Sequence, residues 1–138
     1  FNLEPTLKEF ARILKPGGKV ALVWNDRDID SDDEFTRQHD LMITKASKKS
    51  PIHSRLDGKS DLLINSLFSV VNHDIFPTQQ ALTKDSLIGL AMSASYISKK
   101  EQESRQLVQE LTELYCKYCD QRGLVYLQYN TSVYLASF

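Results

Sequence analysis

Several groupings of side chains have residue types and spacing that chemistry can use. Asp26, Asp28, Asp30 and Asp32 alternate as carboxylates do in a calcium loop. Counting from Asp26, however, Ser31 stands where that loop needs glycine for its sharp turn, and Arg37 where it needs a bidentate glutamate. A solvated acidic loop is expected, not a calcium site. Cys116-Lys117-Tyr118-Cys119 has C-x-x-C spacing. A redox pair places its first thiolate at a helix N-terminus, where the dipole lowers its pKa, whereas these cysteines fall near the C-terminal end of an expected helix. A zinc site needs two further ligands, and the sequence offers only the scattered His39, His53 and His73. Two ordinary thiols and no bound metal are therefore expected. His39 and His73 are of the right type for acid–base work, but neither has a nucleophile or carboxylate partner readable from spacing, so both are read as structural or surface residues. Lys45, Lys48, Lys49, His53 and Arg55 form a basic cluster without interleaved aromatics, which reads as a solvated loop and not as a nucleic-acid platform.

Composition sets outer bounds on these readings. The 138 residues are 41% hydrophobic and 25% charged, close to the average of a globular domain, and suffice for one domain. A formal net charge of -1 creates no field favouring nucleic acid or anionic membranes. No run long and apolar enough for an ordinary transmembrane helix occurs. Phe1-Asn2-Leu3-Glu4 lacks the basic and apolar regions of a secretory signal and has no initiator methionine, so the sequence is read as part of a larger polypeptide. With two cysteines and no export signal, a reducing cytoplasm is the default expectation.

The elements that would position these residues can be traced along the chain. Pro5 suits a first helical position, and Leu7, Phe10, Ala11 and Leu14 then recur as one apolar stripe. Lys15-Pro16-Gly17-Gly18 stops that helix. Lys19 to Trp24 is a short apolar run between turn residues, predicting a strand buried on both faces, as in a parallel sheet. A second helix is predicted over 34–46, with Phe35, Met42 and Ile43 inward. A loop is predicted over 47–59, a short helix over 61–67, and a strand over 68–76 ended by Pro77. Thr83 to Ser86 caps a helix carrying Leu87, Leu90 and Met92. The longest periodic segment, 99–121, aligns Leu107, Leu111, Leu114, Tyr115 and Tyr118, with Gly123 at the C-terminal cap. Residues 124–138, rich in β-branched and aromatic types, predict a strand or hairpin.

One stretch resembles a known family. Leu7 to Asn25, with Glu9-x-x-Arg12-x-Leu14-Lys15-Pro16-Gly17-Gly18 leading into Lys19-Val20-Ala21-Leu22-Val23-Trp24-Asn25, is similar to the region around strand five of class I S-adenosylmethionine-dependent methyltransferases of the small-molecule type. Tyr129 to Ala136 is similar to that family's final strand, and Gln79 to Tyr96, with Leu82-Thr83 and Ser93-Ala94-Ser95-Tyr96, to its insertion between strands six and seven. The resemblance implies an α/β fold: the C-terminal part, strands five to seven, of a Rossmann-like sheet, here a three- or four-stranded remnant with flanking helices. It implies a single domain over 1–138, with a helical insertion over 77–122.

It also implies a division of labour. The family binds its cofactor through a glycine-rich turn after strand one, an acidic residue ending strand two, and residues after strands three and four. Ligands of open α/β sheets sit at the carboxyl ends of strands. Gly17-Gly18 precedes a strand instead, so no cofactor-binding residue is expected in this chain, which is read as a truncated methyltransferase, inactive by itself. The end of strand five faces the substrate pocket in the family, which makes Trp24, Asn25, Arg27 and Asp28, joined by Tyr96, the substrate-pocket candidates. Without strand four the Val20–Trp24 run would present an unpaired edge, so a homo-oligomer, simplest as a dimer, is expected through strand 19–24. The competing reading is a non-catalytic, methyltransferase-like binding or regulatory module acting as an oligomer. A piece of a complete enzyme is the third.

Overall fold

A computed structural model describes residues 2–47 and 66–137. Along them run α1 (Leu3–Ile13), β1 (Lys19–Arg27), α2 (Glu34–Ala46), β2 (Val70–Leu82), α3 (Lys84–Ser93), α4 (Glu101–Tyr118) and β3 (Val125–Ser137). The predicted loop over 47–59 and short helix over 61–67 fall almost wholly outside the described residues, as do Lys48, Lys49, His53 and Arg55 of the basic cluster. Among the described residues no helix is long and apolar enough to cross a membrane.

The strands form one three-stranded sheet in the order β1-β3-β2. Asp28 N–H donates to the Gln128 carbonyl at 2.9 Å, while Thr131 Oγ1 donates to Asn25 Oδ1 at 2.8 Å. Numbers rise on β1 as they fall on β3, so the pair is antiparallel. Ser69 N–H to the Ser137 carbonyl and Gln128 Nε2 to Gln79 Oε1 give the same sense for β2. The last strand thus lies between the other two and opposes both.

Three sequence expectations need correction here. The run Val20–Trp24 is not buried on both faces. Leu22 is 7% exposed and Val23 58%, with Val20 and Trp24 packed on the inner side. Antiparallel pairing with β3 and cover on one face only give the alternation of a half-solvated sheet. Pro77 does not end its strand: β2 continues to Leu82. β2 lies at the edge of the sheet, where a proline is tolerated. Nor does Gly123 cap the long helix. α4 stops at Tyr118 with Cys119 as its cap, and Gly123 (φ +71°) sits in the following turn. Asp120 organises that turn: its Oδ1 accepts from the N–H groups of Arg122 and Leu124, and its Oδ2 from Tyr126 O–H. Chiefly the Leu124 hydrogen bond holds the Asp120 carboxyl below its usual range.

The described residues fall into two compact units. The first comprises residues 2–26, 66–77 and 130–137, where Leu7 of α1, Leu22, Phe68, Tyr134 and Ala136 are buried together with Phe10, Leu14 and Trp24 packed against them. The second comprises 27–47 and 78–129. There α2 and α3 each pack against α4, around Phe35, Ile43, Leu87, Leu111 and Leu127. α2 matches its predicted span and starts where Asp33 Oδ2 accepts from Thr36 N–H at 2.8 Å. α3 starts at the predicted Thr83, whose hydroxyl accepts from Ser86 N–H at 3.2 Å. Thr83→Ala is expected to lower stability by about 1 kcal/mol in urea denaturation. No change beyond experimental error would mean that the hydroxyl does not hold the helix start.

Candidate functional site

Within the second unit, polar side chains gather where β1 ends. Arg27 is its last residue, and the Arg27 Nε donates to Asp40 Oδ1 of α2 at 2.6 Å. Both side chains are largely buried, 14% and 7% exposed. His39 precedes Asp40 on the same helix face and is 2% exposed. Its ring lies 6.2 Å from that of Phe35, and neither ring nitrogen has a hydrogen-bond partner. Thr36 Oγ1, one turn earlier, accepts from Gln128 N–H of β3 at 3.0 Å. Tyr129 O–H then reaches Gln80 Oε1 of β2 at 3.3 Å.

The electrostatics follow from burial. Desolvation first, and the Arg27 charge second, pull the His39 pKa down to about 4, against an opposing push from Asp40. His39 is therefore neutral at pH 7. Burial raises the pKa of Tyr129, with Arg27 pulling it down and Tyr96 pushing it up. The folded pKa of His39 lies below the value of about 6.5 for an unfolded histidine, so the unfolded chain binds the proton first. Stability from this group is present above pH 6.5 and is lost as pH falls towards 4, by on the order of 3 kcal/mol. Denaturant midpoints measured across that window should fall, and less steeply in His39→Leu. Equal slopes in the two proteins would contradict a neutral buried imidazole.

The substrate-pocket candidates divide between the two units. In the second, Arg27 and Tyr96 both act on Tyr129, and Asp28 is tied through its main chain, its N–H to Gln128 and its carbonyl to Ser31 Oγ. In the first, Trp24 meets the Tyr134 ring edge-on at 6.2 Å, and Asn25 accepts from Thr131. His73 stacks flat on Tyr134 at 3.9 Å, with its Nε2 3.3 Å from Ser132 Oγ, an exposed position like that expected from the sequence. Cys116 and Cys119 are free thiols, in the last turn and at the cap of α4.

Sequence reasoning passed over Asp40 and undervalued His39. A signal was present. Phe35, Thr36, His39, Asp40 and Ile43 all lie on the buried side of α2, and the 3.6-residue period through Phe35 and Ile43 carries His39 inward with them. A separate cleft of about 210 Å³ lies between α2 and α4, over Met42, Ala46, Ile97 and Leu107. It is smaller than the roughly 300 Å³ at which ordinary ligand pockets begin.

The Gly17-Gly18 turn does not fit a cofactor cradle. Gly17 takes a left-handed φ of +77°, Gly18 N–H bonds back to the Lys15 carbonyl at 2.8 Å, and a Cβ at Gly18 would come 2.8 Å from that same oxygen. Both glycines are accounted for by a tight turn into β1.

No family model matches the chain. Over 116 residues, 83% of its length, it is 32% identical to an uncharacterised methyltransferase-like protein of Schizosaccharomyces pombe, and it spans 44% of that relative's length. Among solved structures it is similar to a candidate methyltransferase of Bacillus halodurans (TM-score 0.45, 14% identity, 94% of this chain and 55% of that one). It is similar also to the YcgJ protein of Bacillus subtilis (TM-score 0.48, 14% identity, 99% and 58%). The family resemblance of the sequence is thus met by a homologue that is itself methyltransferase-like.

Proposed function

We propose, from this kinship with a methyltransferase-like protein, that the chain supplies strands five to seven of a Rossmann-like, S-adenosylmethionine-dependent methyltransferase domain acting on a small molecule. One observation carries the reading furthest. β1, entered through the Lys15-Pro16-Gly17-Gly18 turn, has the last strand as its neighbour, and that strand opposes it. The resemblance implies the same neighbour for strand five.

S-adenosylmethionine supplies a methyl group on a sulfonium, and transfer depends on positioning and desolvation of the acceptor. Gly17 and Gly18 form a tight turn into β1 that does not fit that cofactor; its contacts are assigned to residues outside this sequence, and the chain alone is proposed not to methylate. Its own contribution is to the acceptor: Arg27, Asp28 and Tyr96, with Tyr129, shape the substrate side, because ligands of such sheets collect at the strand ends.

The outer edge of β1 has no strand beside it among the described residues. An unpaired edge with an exposed Val23 recruits a partner, and a second copy would cover it. Sedimentation of the purified chain should give a dimer that Val23→Lys weakens, and a monomer at all concentrations would sink the pairing. Calorimetric titration of the chain with S-adenosylhomocysteine tests the central reading. No heat up to millimolar ligand is expected from folded protein. Saturable one-to-one binding in the micromolar range would place a working cofactor site in this chain and refute the proposed division.

A further inference from the structure

We infer that the cleft between α2 and α4 binds a free α-amino acid with an apolar side chain. The site shares no residue with the acceptor side proposed at the end of β1, and its test needs no methyl transfer.

The cleft has an apolar floor and a charged rim. Its floor is Met42 and Ala46 of α2, Leu107 of α4, and Ile97 from the segment before α4. Leu107 and Ile97 are buried in the core of the second unit, and Met42 and Ala46 pack against that core. Met42 is a flexible thioether that reshapes to fit what lies on it. A volume of about 210 Å³ suits one apolar side chain and is too small for a cofactor. At the rim, Lys45 Nζ of α2 stands 3.9 Å from Glu110 Oε1 of α4. That is a long ion pair, and the Lys45 side chain is 74% exposed, so the pair contributes little and opens readily. Glu110 Oε1 also accepts from Gln106 Nε2 at 3.1 Å, while its Oε2 makes no hydrogen bond among the described residues. A second carboxylate, Glu103, lines the cleft but has an interaction of its own, so the ligand's cation is assigned to Glu110.

Opposite charges beside an apolar floor select a zwitterion. An α-amino acid carries an ammonium and a carboxylate on one carbon, next to its side chain. The ammonium donates to Glu110 Oε2, the carboxylate accepts from Lys45, and the side chain enters between Met42 and Leu107. Lysine and glutamate exchange each other for the ligand, so every charge keeps a neighbour of opposite sign and none is left without a partner. A simple amine would bring a second cation beside Lys45, and a simple carboxylate a second anion beside Glu110. Each misfit is repulsive, which discriminates against ligands bearing only one of the two charges.

The test is calorimetric titration of the whole protein with L-phenylalanine and, separately, with L-leucine. Phenethylamine, which lacks the carboxylate, and phenylpropanoate, which lacks the ammonium, serve as controls. Expected is saturable one-to-one binding of at least one amino acid, with both controls weaker by roughly tenfold. Ala46→Phe, which fills the cleft, should abolish binding. Glu110→Gln, a change at the rim that leaves the core intact, should weaken it by about tenfold and keeps the test decisive if Ala46→Phe does not fold. No saturation by either amino acid up to about 20 mM, from folded protein, overturns the inference. So does binding unchanged in Glu110→Gln, or a control that binds as tightly as the amino acid. Absence of methyl transfer from the whole protein would refute the proposed function yet leave these binding results standing.

Discussion

Asp40→Ala is expected to destabilise the protein by about 3–5 kcal/mol, a large share of the stability of an ordinary domain. The reason is what remains. The Arg27 side chain is 14% exposed, and its Nε bond to Asp40 is 2.6 Å long. Removal of the carboxylate strands a guanidinium that water reaches poorly. The double variant Arg27→Met/Asp40→Leu should recover most of the loss, because two apolar residues of similar volume remove both desolvation costs at once. Equilibrium unfolding in urea separates the possibilities. A single variant within 1 kcal/mol of the parent would show the pair to be solvated. A double variant as unstable as the single would show that the bond, and not relief of the stranded charge, stabilises the end of β1.

How much of this was legible in the sequence depended on the range of each signal. Local signals worked. Phe35 and Ile43 fixed the span of α2, Thr83 marked the start of α3, and Lys15 to Gly18 marked the turn into β1. Each rests on contacts within a few residues. Signals that depend on neighbours in the sheet did not work. Whether Val23 is covered is decided by what packs on that face, and whether Pro77 breaks a strand by which side of β2 carries the ladder. Neither is written in the local pattern. Gly123 misled for a different reason. Gly123 is left-handed but does not cap the helix, because Asp120 organises the turn after α4 by gathering it onto its carboxylate.

The site followed the same division. Arg27 was named through the rule that ligands gather at strand ends and Tyr96 through the resemblance to the family's insertion, and both bear electrostatically on Tyr129. Asp40, Thr36 and Gln128 were missed because their partners are distant in sequence: Arg27 is 13 residues from Asp40, and Gln128 is 92 from Thr36. A long-range hydrogen bond between unlike elements leaves no period or motif to read. Burial of a polar residue on an apolar helix face is the only local trace, and His39 carries it.

The second large effect is expected from Leu111→Ala, at about 2–5 kcal/mol. Leu111 is 0% exposed and sits on α4, the helix against which both α2 and α3 pack, between Leu107 and Leu114 on the same face. Truncation loses the transfer free energy of the removed methyl groups, and a cavity term adds to it wherever the surroundings cannot collapse. Collapse is hindered here because Phe35, Leu87 and Leu127, which share this core, are each held on a different element. The cost should therefore lie in the upper half of the range. Leu41→Ala on α2, where the side chain is 68% exposed, removes the same atoms from solvent and should change stability by less than about 0.5 kcal/mol. Denaturant midpoints of the two variants, taken with the parent slope, measure the contrast directly. A loss below 1 kcal/mol at Leu111 would mean that this core is loosely packed around α4. The residues proposed for the acceptor side at the end of β1 would then lack the rigid support that positioning of a substrate requires.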